Sequence, residues 1–313
     1  MQYKTFGKTG LQISKMALGT WGIGGAGWDT YADDVRIDAI LAAIENGVNL
    51  IDTAPAYNAG AAEKLLGRAL QQSGLRDKVY ISTKCGNEFI DGKYVRNGRP
   101  ERILSLCDES LERLQTEYVD IMLVHWPDPN VPFSETMPAL QQLKEEGKIR
   151  HIGVSNFSQE QIEEAGRYCE IEVLQPQYSM VNRNFEPLMQ WARSQNIATM
   201  AYGALGGGIL TGRYRSVQTF EAMDSRNRFY PFFKEPMFSQ VMKLLDVMDR
   251  IAADHGVPVA QVALNWTAEK DFVSTCLVGA QTRDKVEQNA AAFSWSLEEE
   301  EKELLNQAVS ILN

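Results

Sequence analysis

Apolar, largely β-branched runs alternate along the chain with segments of helical period. "MALG" (16–19), "VNLID" (48–52), "KVYISTK" (78–84), "VDIMLVH" (119–125), "IRHIGVSN" (149–156), "EVLQPQY" (172–178), "ATMAY" (198–202) and "FVSTCLVG" (272–279) read as strands. Between them, Ile37, Ile40, Leu41 and Ile44 stand at i, i+3, i+4 and i+7 in a helix that stops at Gly47, and residues 61–74 form a second helix ending at Gly74. A third, 100–115, opens with Pro100 in the favoured first turn. Others run from Ser134 to Gly147, from the capping box Ser158-Gln159-Glu160-Gln161, around 186–195, and through a long helical region from about Ser239 to Glu269. Strands without a polar face, each followed by an amphipathic helix, belong to a parallel sheet covered on both sides. Eight such units in 313 residues predict an α/β fold, a (β/α)8 barrel, with a doubly wound sheet as the rival. The segment "YKTFGKTGLQIS" (3–14) lies outside the repeat and predicts a short hairpin turning at Thr9-Gly10 that closes the barrel's bottom. Extra helices follow at the C-terminus, and 1–313 reads as a single domain.

Composition narrows the partners. The formal charge of −10 is spread along the chain with no block of Lys or Arg, which argues against nucleic acid and against an anionic membrane surface. Cys85, Cys107, Cys169 and Cys276 are far apart and form no C-x-x-C pair, so they read as reduced, packed thiols. No apolar run reaches the eighteen or so residues of a membrane span, and the first residues carry no apolar leader. A cytoplasmic protein acting on a small molecule is expected, with no metal centre and with its oligomeric state left open.

One short motif points elsewhere. Gly22, Gly24 and Gly27 fit G-x-G-x-x-G, and the next strand ends in Asp52, as in a dinucleotide-binding turn. In that turn the third glycine already lies inside the helix that faces the pyrophosphate. Here "WDTYADD" separates Gly27 from the helical period, so the stretch 19–28 reads as a flexible loop.

In a (β/α)8 barrel the active site is built at the C-terminal ends of the strands. Those ends carry Gly19 to Trp21, Asp52, Lys84, His125, Ser155 with Asn156, Gln177, Tyr202 and Gly279. Core packing alone does not select polar groups at the ends of Val, Ile, Leu and Met runs. Barrel topology would bring them to one mouth.

The stretches "GVNLIDTAPAYNAGAAEKLLGRAL", "STK", "ESLERLQTEYVDIMLVHWPD", "LKEEGKIRHIGVSNFS", "LQPQYSMVNR" and "GGGILTGRY" resemble the aldo-keto reductases along essentially the whole chain. The spacing Asp52, Tyr57, Lys84, His125 matches that family's catalytic tetrad at every position. The resemblance implies a carbonyl reductase in which a nicotinamide supplies hydride and the protein a proton. Tyr57 would be the acid. A free phenol titrates near pH ~10, so Lys84 is expected to favour the phenolate, with Asp52 holding Lys84 and His125 donating to the carbonyl oxygen. His151 and His255 have no such company and read as structural.

The same matching implies the cofactor residues. Ser155, Asn156 and Gln177 correspond to positions that hydrogen-bond the nicotinamide carboxamide, Tyr202 to the aromatic stacked on its ring, and Trp21 to a neighbour of both cofactor and substrate. Residues 203–212, with Gly203, Ala204, Leu205 and Gly207, resemble the loop whose N–H groups approach the pyrophosphate. Gly203 and Ala204 replace the commoner Ser-Pro of the family. Residues 279–289, with Gly279, Gln281, Arg283, Lys285 and Asn289, align with the adenosine and 2′-phosphate site. Many relatives place Arg where this chain has Gln281, but Arg283 and Lys285 supply charge nearby, so NADP(H) is favoured and NAD(H) is the alternative.

Trp21, Trp28, Trp126 and the loop 223–238 are candidate pocket walls, and Asp128 is a candidate for binding substrate hydroxyls or else a turn residue. The expected substrate is an aldehyde or ketone, sugar-like or small and aliphatic, with the reverse oxidation using the same groups. The rivals are a glycosidase, for which the strand ends lack a free carboxylate pair, and an auxiliary cofactor-binding sensor subunit with little turnover.

Overall fold

The protein is described from a computed structural model covering residues 1–91 and 93–312. Among the described residues twelve strands appear in chain order: β1 Tyr3–Thr5, β2 Gln12–Ser14, β3 Met16–Gly19, β4 Leu50–Asp52, β5 Tyr80–Cys85, β6 Asn87–Ile90, β7 Lys93–Arg96, β8 Val119–Val124, β9 Ile149–Ser155, β10 Val173–Gln175, β11 Ala198–Tyr202 and β12 Thr275–Gly279. Eight of them form a closed barrel in the order β3, β4, β5, β8, β9, β10, β11, β12, each parallel to the next. β12 pairs back onto β3, Gly279 opposite Gly19, and this closure excludes the doubly wound sheet. No helix among the described residues is long and apolar enough to cross a membrane.

The N-terminal hairpin β1–β2 caps the bottom. Phe6 and Ile13 are fully buried and pack with Leu50, Ile121, Leu123, Val173, Ala198 and Met200 from inside the barrel. Lys4 Nζ donates to the carbonyls of Ala268 and Val273 at 2.9 and 2.8 Å. Gly7 has φ +51°, and a Cβ there would lie 2.6 Å from the Asn196 carbonyl oxygen, so the chain can approach the barrel floor only as glycine.

Helices cover the outside. Asp33–Glu45, Ala61–Ser73, Pro100–Leu114, Phe133–Glu145, Gln159–Ala165 and Glu186–Ser194 fall where periodicity placed them, and the Ser158/Gln161 capping box is formed. One buried ion pair ties this layer to the barrel. Glu63, with no exposed surface, accepts from Thr83 Oγ1 on β5 and from Arg113 Nε of the neighbouring helix, both at 2.6 Å.

Three local expectations change. The region 239–269 is two helices, Met237–His255 and Val259–Ala268, because Gly256 turns left-handed (φ +64°) and Pro258 follows. Within the stretch read as loop, Trp21–Gly24 makes one helical turn. A second antiparallel hairpin, β6–β7, stands at the top of the barrel directly after β5.

Candidate active site

Three consecutive elements of the barrel mouth converge on one ammonium. Lys84, on β5, is fully buried, and its Nζ donates to Asp52 Oδ2 at 2.6 Å, to the Thr53 carbonyl at 2.8 Å and to Tyr57 Oη at 3.0 Å. Asp52 ends β4, and Tyr57 sits in the turn that leads from β4 to the helix Ala61–Ser73. The second Asp52 oxygen accepts from Gln175 Nε2 at 2.9 Å, so both carboxylate oxygens are committed. His125, one residue past β8, presents its ring edge-on to Tyr57, centroids 6.0 Å apart. Trp21 stacks on Tyr57 at 6.2 Å.

Electrostatics assign protonation states. Burial, reinforced by the Asp52 charge, pushes the Tyr57 phenol well above its ordinary value. The phenol is therefore the resting form, and Lys84 Nζ, 3.0 Å from Tyr57 Oη, stands where it would meet the phenolate once the proton has left. The ammonium is already matched by Asp52 at 2.6 Å, and desolvation dominates at the phenol. Burial, and then the Lys84 charge, push His125 well below its ordinary range, so the imidazole is neutral at physiological pH. His125 Nδ1 is buried without a partner among the described residues. A proton there would be an orphaned donor, which places the proton on Nε2.

The expected carboxamide group is assembled but largely self-satisfied. Asn156, left-handed at φ +61°, donates from Nδ2 to the His125 carbonyl and to Ser155 Oγ, and its Oδ1 accepts from Tyr202 Oη at 2.9 Å. Ser155 Oγ donates to the Gln175 carbonyl. β10 ends at Gln175, two residues before the Gln177 taken as the strand end; Gln177 forms an isolated bridge to Tyr202 and also lines the cleft. The role of Gln175 was missed because two glutamines flank Pro176, and only register tells which faces Asp52.

A cleft of about 830 Å³ runs from this cluster across the barrel mouth. Trp21, Trp28, Trp126, Tyr202, Gly203, Ala204, Leu205, Gly207, Gly279, Gln281, Lys285 and Asn289 all line it. The loop 203–212 turns left-handed at Gly203, Gly206, Gly207, Gly208 and Gly212. A Cβ at Gly207 would come 2.7 Å from the Tyr230 ring, so this wall can follow an extended ligand only with glycine. Gln281 Nε2 donates to the Gly22 and Asp29 carbonyls at 2.7 and 2.6 Å, fastening the 22–29 segment over that end.

Two candidates lie outside the wall of this cleft. Arg283 is not in the cleft wall; it donates to both Asp38 oxygens and to Glu45 on the helix Asp33–Glu45. That leaves Lys285 as the nearby cation bordering the cleft. Asp128 lies outside the cleft and is a turn residue, accepting from the N–H groups of Gly98 and Asn130. His151 and His255 pair with Glu172 and Glu301 away from the cleft, as structural residues do.

Comparison with known proteins agrees with this geometry. The sequence profile described as the aldo/keto reductase family matches residues 15–310. An aldo-keto reductase of Bacillus subtilis (strain 168) is 36% identical over 308 residues, covering 98% of this chain and 93% of its own. The NADH-specific methylglyoxal reductase of Escherichia coli (strain K12) is 33% identical over 322 residues, covering 98% of both. Among solved structures, the glycerol dehydrogenase from Gluconobacter oxydans has a TM-score of 0.88 at 35% identity, over 96% of this chain and 92% of that one. An aldo/keto reductase from Klebsiella pneumoniae in complex with NADP and acetate has a TM-score of 0.76 at 28% identity, over 98% and 94%. The chain belongs to the aldo/keto reductase family and is an NAD(P)H-dependent oxidoreductase.

Proposed function

We propose that this protein reduces a small aldehyde or ketone to the alcohol, with Tyr57 as the general acid, and runs the reverse oxidation through the same groups. The observation that carries the reading is Lys84 Nζ held between Asp52 (2.6 Å) and Tyr57 Oη (3.0 Å), the two residues of this trio that line the large cleft. A bound nicotinamide nucleotide supplies the hydride. The chain's own residues do the rest. Tyr57 is protonated at neutral pH and delivers its proton to the carbonyl oxygen. Lys84, pinned by Asp52 and the Thr53 carbonyl, stabilises the phenolate left behind. His125, neutral with its proton on Nε2, donates to the same oxygen and orients it.

The residues present suit a dinucleotide. The glycine-lined wall at 206–208 admits a close backbone approach, Tyr202 offers a ring held by Asn156, and Lys285 and Asn289 border the far end. NADP(H) is favoured through the Lys285 charge. With Arg283 engaged elsewhere, the preference over NADH is modest, and NADH is the cofactor named for the Escherichia coli relative. Cytoplasmic action on a small molecule is part of this reading.

The test is nucleotide binding followed by turnover. Titration with NADPH and NADH should quench tryptophan fluorescence, and nicotinamide absorbance should fall when aldehydes or ketones are added. Tight nucleotide binding with no turnover across a broad carbonyl panel would leave a sensor rather than a reductase. No nucleotide binding would remove the reading altogether.

A further inference from the structure

The chain carries a formal charge of −10, yet its cleft is lined by the basic Arg96, Arg213, Arg226, Arg228 and Lys285 against the acidic Asp29 and Asp52 alone. Asp52 is neutralised by Lys84. A local excess of positive charge opposite to that of the molecule concentrates anions in the cleft. Lys285 lies at the proposed adenosine end, Arg213 beside the glycine loop, and Arg226 is paired with Asp224. Arg96 and Arg228 are different. Neither makes a salt bridge to a carboxylate among the described residues, and both sit at the substrate end.

Their neighbours fix that placement. Arg96, at the end of β7, lies 5.1 Å from the ring of Trp126, the residue after His125, and donates to the Pro127 carbonyl. Arg228, in the short helix Ser225–Phe229, lies 5.6 Å from the Tyr94 ring and 5.2 Å from that of Phe229. Phe229 meets Trp21 edge-on at 5.3 Å, and Trp21 stacks on Tyr57. Tyr94 and Arg96 come from the same strand of the second hairpin. The two guanidiniums therefore border the part of the cleft that Tyr57 and His125 face. Aromatic rings hold them there, and neither is tied up in an ion pair among the described residues.

On the reductase reading, we infer that Arg96 and Arg228 select a carbonyl compound that also carries an anionic group, a carboxylate or a phosphate. A planar guanidinium presents paired donors to either, and the charge-assisted bonds would anchor the end of the substrate remote from the reacting carbon. Binding energy spent there orients the carbonyl toward Tyr57.

The test uses the full chain with NADPH and two matched pairs of substrates, butanal against 4-oxobutanoate and glyceraldehyde against glyceraldehyde 3-phosphate, at low ionic strength. The anionic member of at least one pair should show a kcat/KM higher by about tenfold or more, expressed mainly in KM. High salt should shrink the advantage. In the double variant Arg96→Gln/Arg228→Gln the ratio of anionic to neutral kcat/KM should fall toward one. Fluorescence titration with NADPH and circular dichroism report whether that variant is folded. If the wild type treats both members of both pairs alike, the inference fails and the reductase reading stands. If the preference exists and survives in the double variant, these two arginines are not its source. If NADPH binds and none of the four compounds is reduced, the inference fails, and turnover across the broad carbonyl panel decides the reductase reading separately.

Discussion

Tyr57 and His125 titrate away from neutrality in opposite directions, and this fixes the pH behaviour of the site. The phenol lies above its ordinary value because it is buried beside Asp52, and the imidazole lies below its own because it is buried beside Lys84. Reduction needs Tyr57 protonated, a condition met below its raised pKa and lost only above it. The log of kcat/KM for carbonyl reduction should therefore be flat from about pH 6 to about pH 9. Oxidation of the alcohol needs the phenolate and should climb with pH across the same interval. A histidine limb near pH ~6.5 in the reductive profile would contradict the neutral imidazole. At this scale the sequence was informative where a polar residue ended an apolar run: Asp52, Lys84 and His125 were visible in that way. It was silent where a side chain's partner comes from a distant element. Arg283 looks like a free cation until the helix Asp33–Glu45 brings Asp38 and Glu45 against it.

Between elements, buried charges act as fasteners. Glu172, just before β10, accepts from Lys144 of the helix Phe133–Glu145 at 2.7 Å, bonds His151 of β9 at 2.8 Å and takes the Ile152 N–H at 3.1 Å. Burial raises its pKa, but the bonds from His151, Lys144 and Ile152 outweigh burial and bring it down to about 2. A carboxylate whose folded pKa is depressed contributes stability that is fully present above the unfolded value and is lost as pH falls through the folded one. Acid unfolding followed by circular dichroism should show the wild type losing stability between about pH 4.5 and about pH 2. Glu172→Gln should start lower and fall less steeply over that window. Equal slopes for the two proteins would remove Glu172 as a fastener. Helices and barrel strands were legible because each buries an apolar face with its own period. The hairpin β6–β7 was not: all four residues of β7 are exposed, so no alternation of burial marks it, although it carries Tyr94 and Arg96 to the cleft.

For the molecule as a whole, closure of eight parallel strands separates a stability end from a chemical end. The floor is Phe6 and Ile13 on the N-terminal hairpin, and the mouth is the Asp52, Tyr57, Lys84 and His125 cluster. Phe6→Ala should cost about 3–5 kcal/mol in urea unfolding while leaving kcat and KM below the melting transition unchanged. Loss of activity in the folded variant would show the two ends to be coupled. The repeat of strand and helix made the barrel readable, since only eight units were counted and each had one apolar period. The substrate end was less so, because its walls come from the second hairpin, the Trp21–Asp29 segment and the helix Ser225–Phe229, which share no period and meet only once the barrel has closed.

The most direct measurement is turnover by Tyr57→Phe at saturating cofactor and carbonyl, alongside its NADPH affinity. The substitution removes one hydroxyl from a ring held by Trp21 and the Lys84 ammonium. Cofactor binding should be wild-type-like and kcat lower by about 10²–10⁴-fold, the range a positioned general acid supplies. A Tyr57→Phe protein that reduces the carbonyl at the wild-type rate would contradict Tyr57 as that acid.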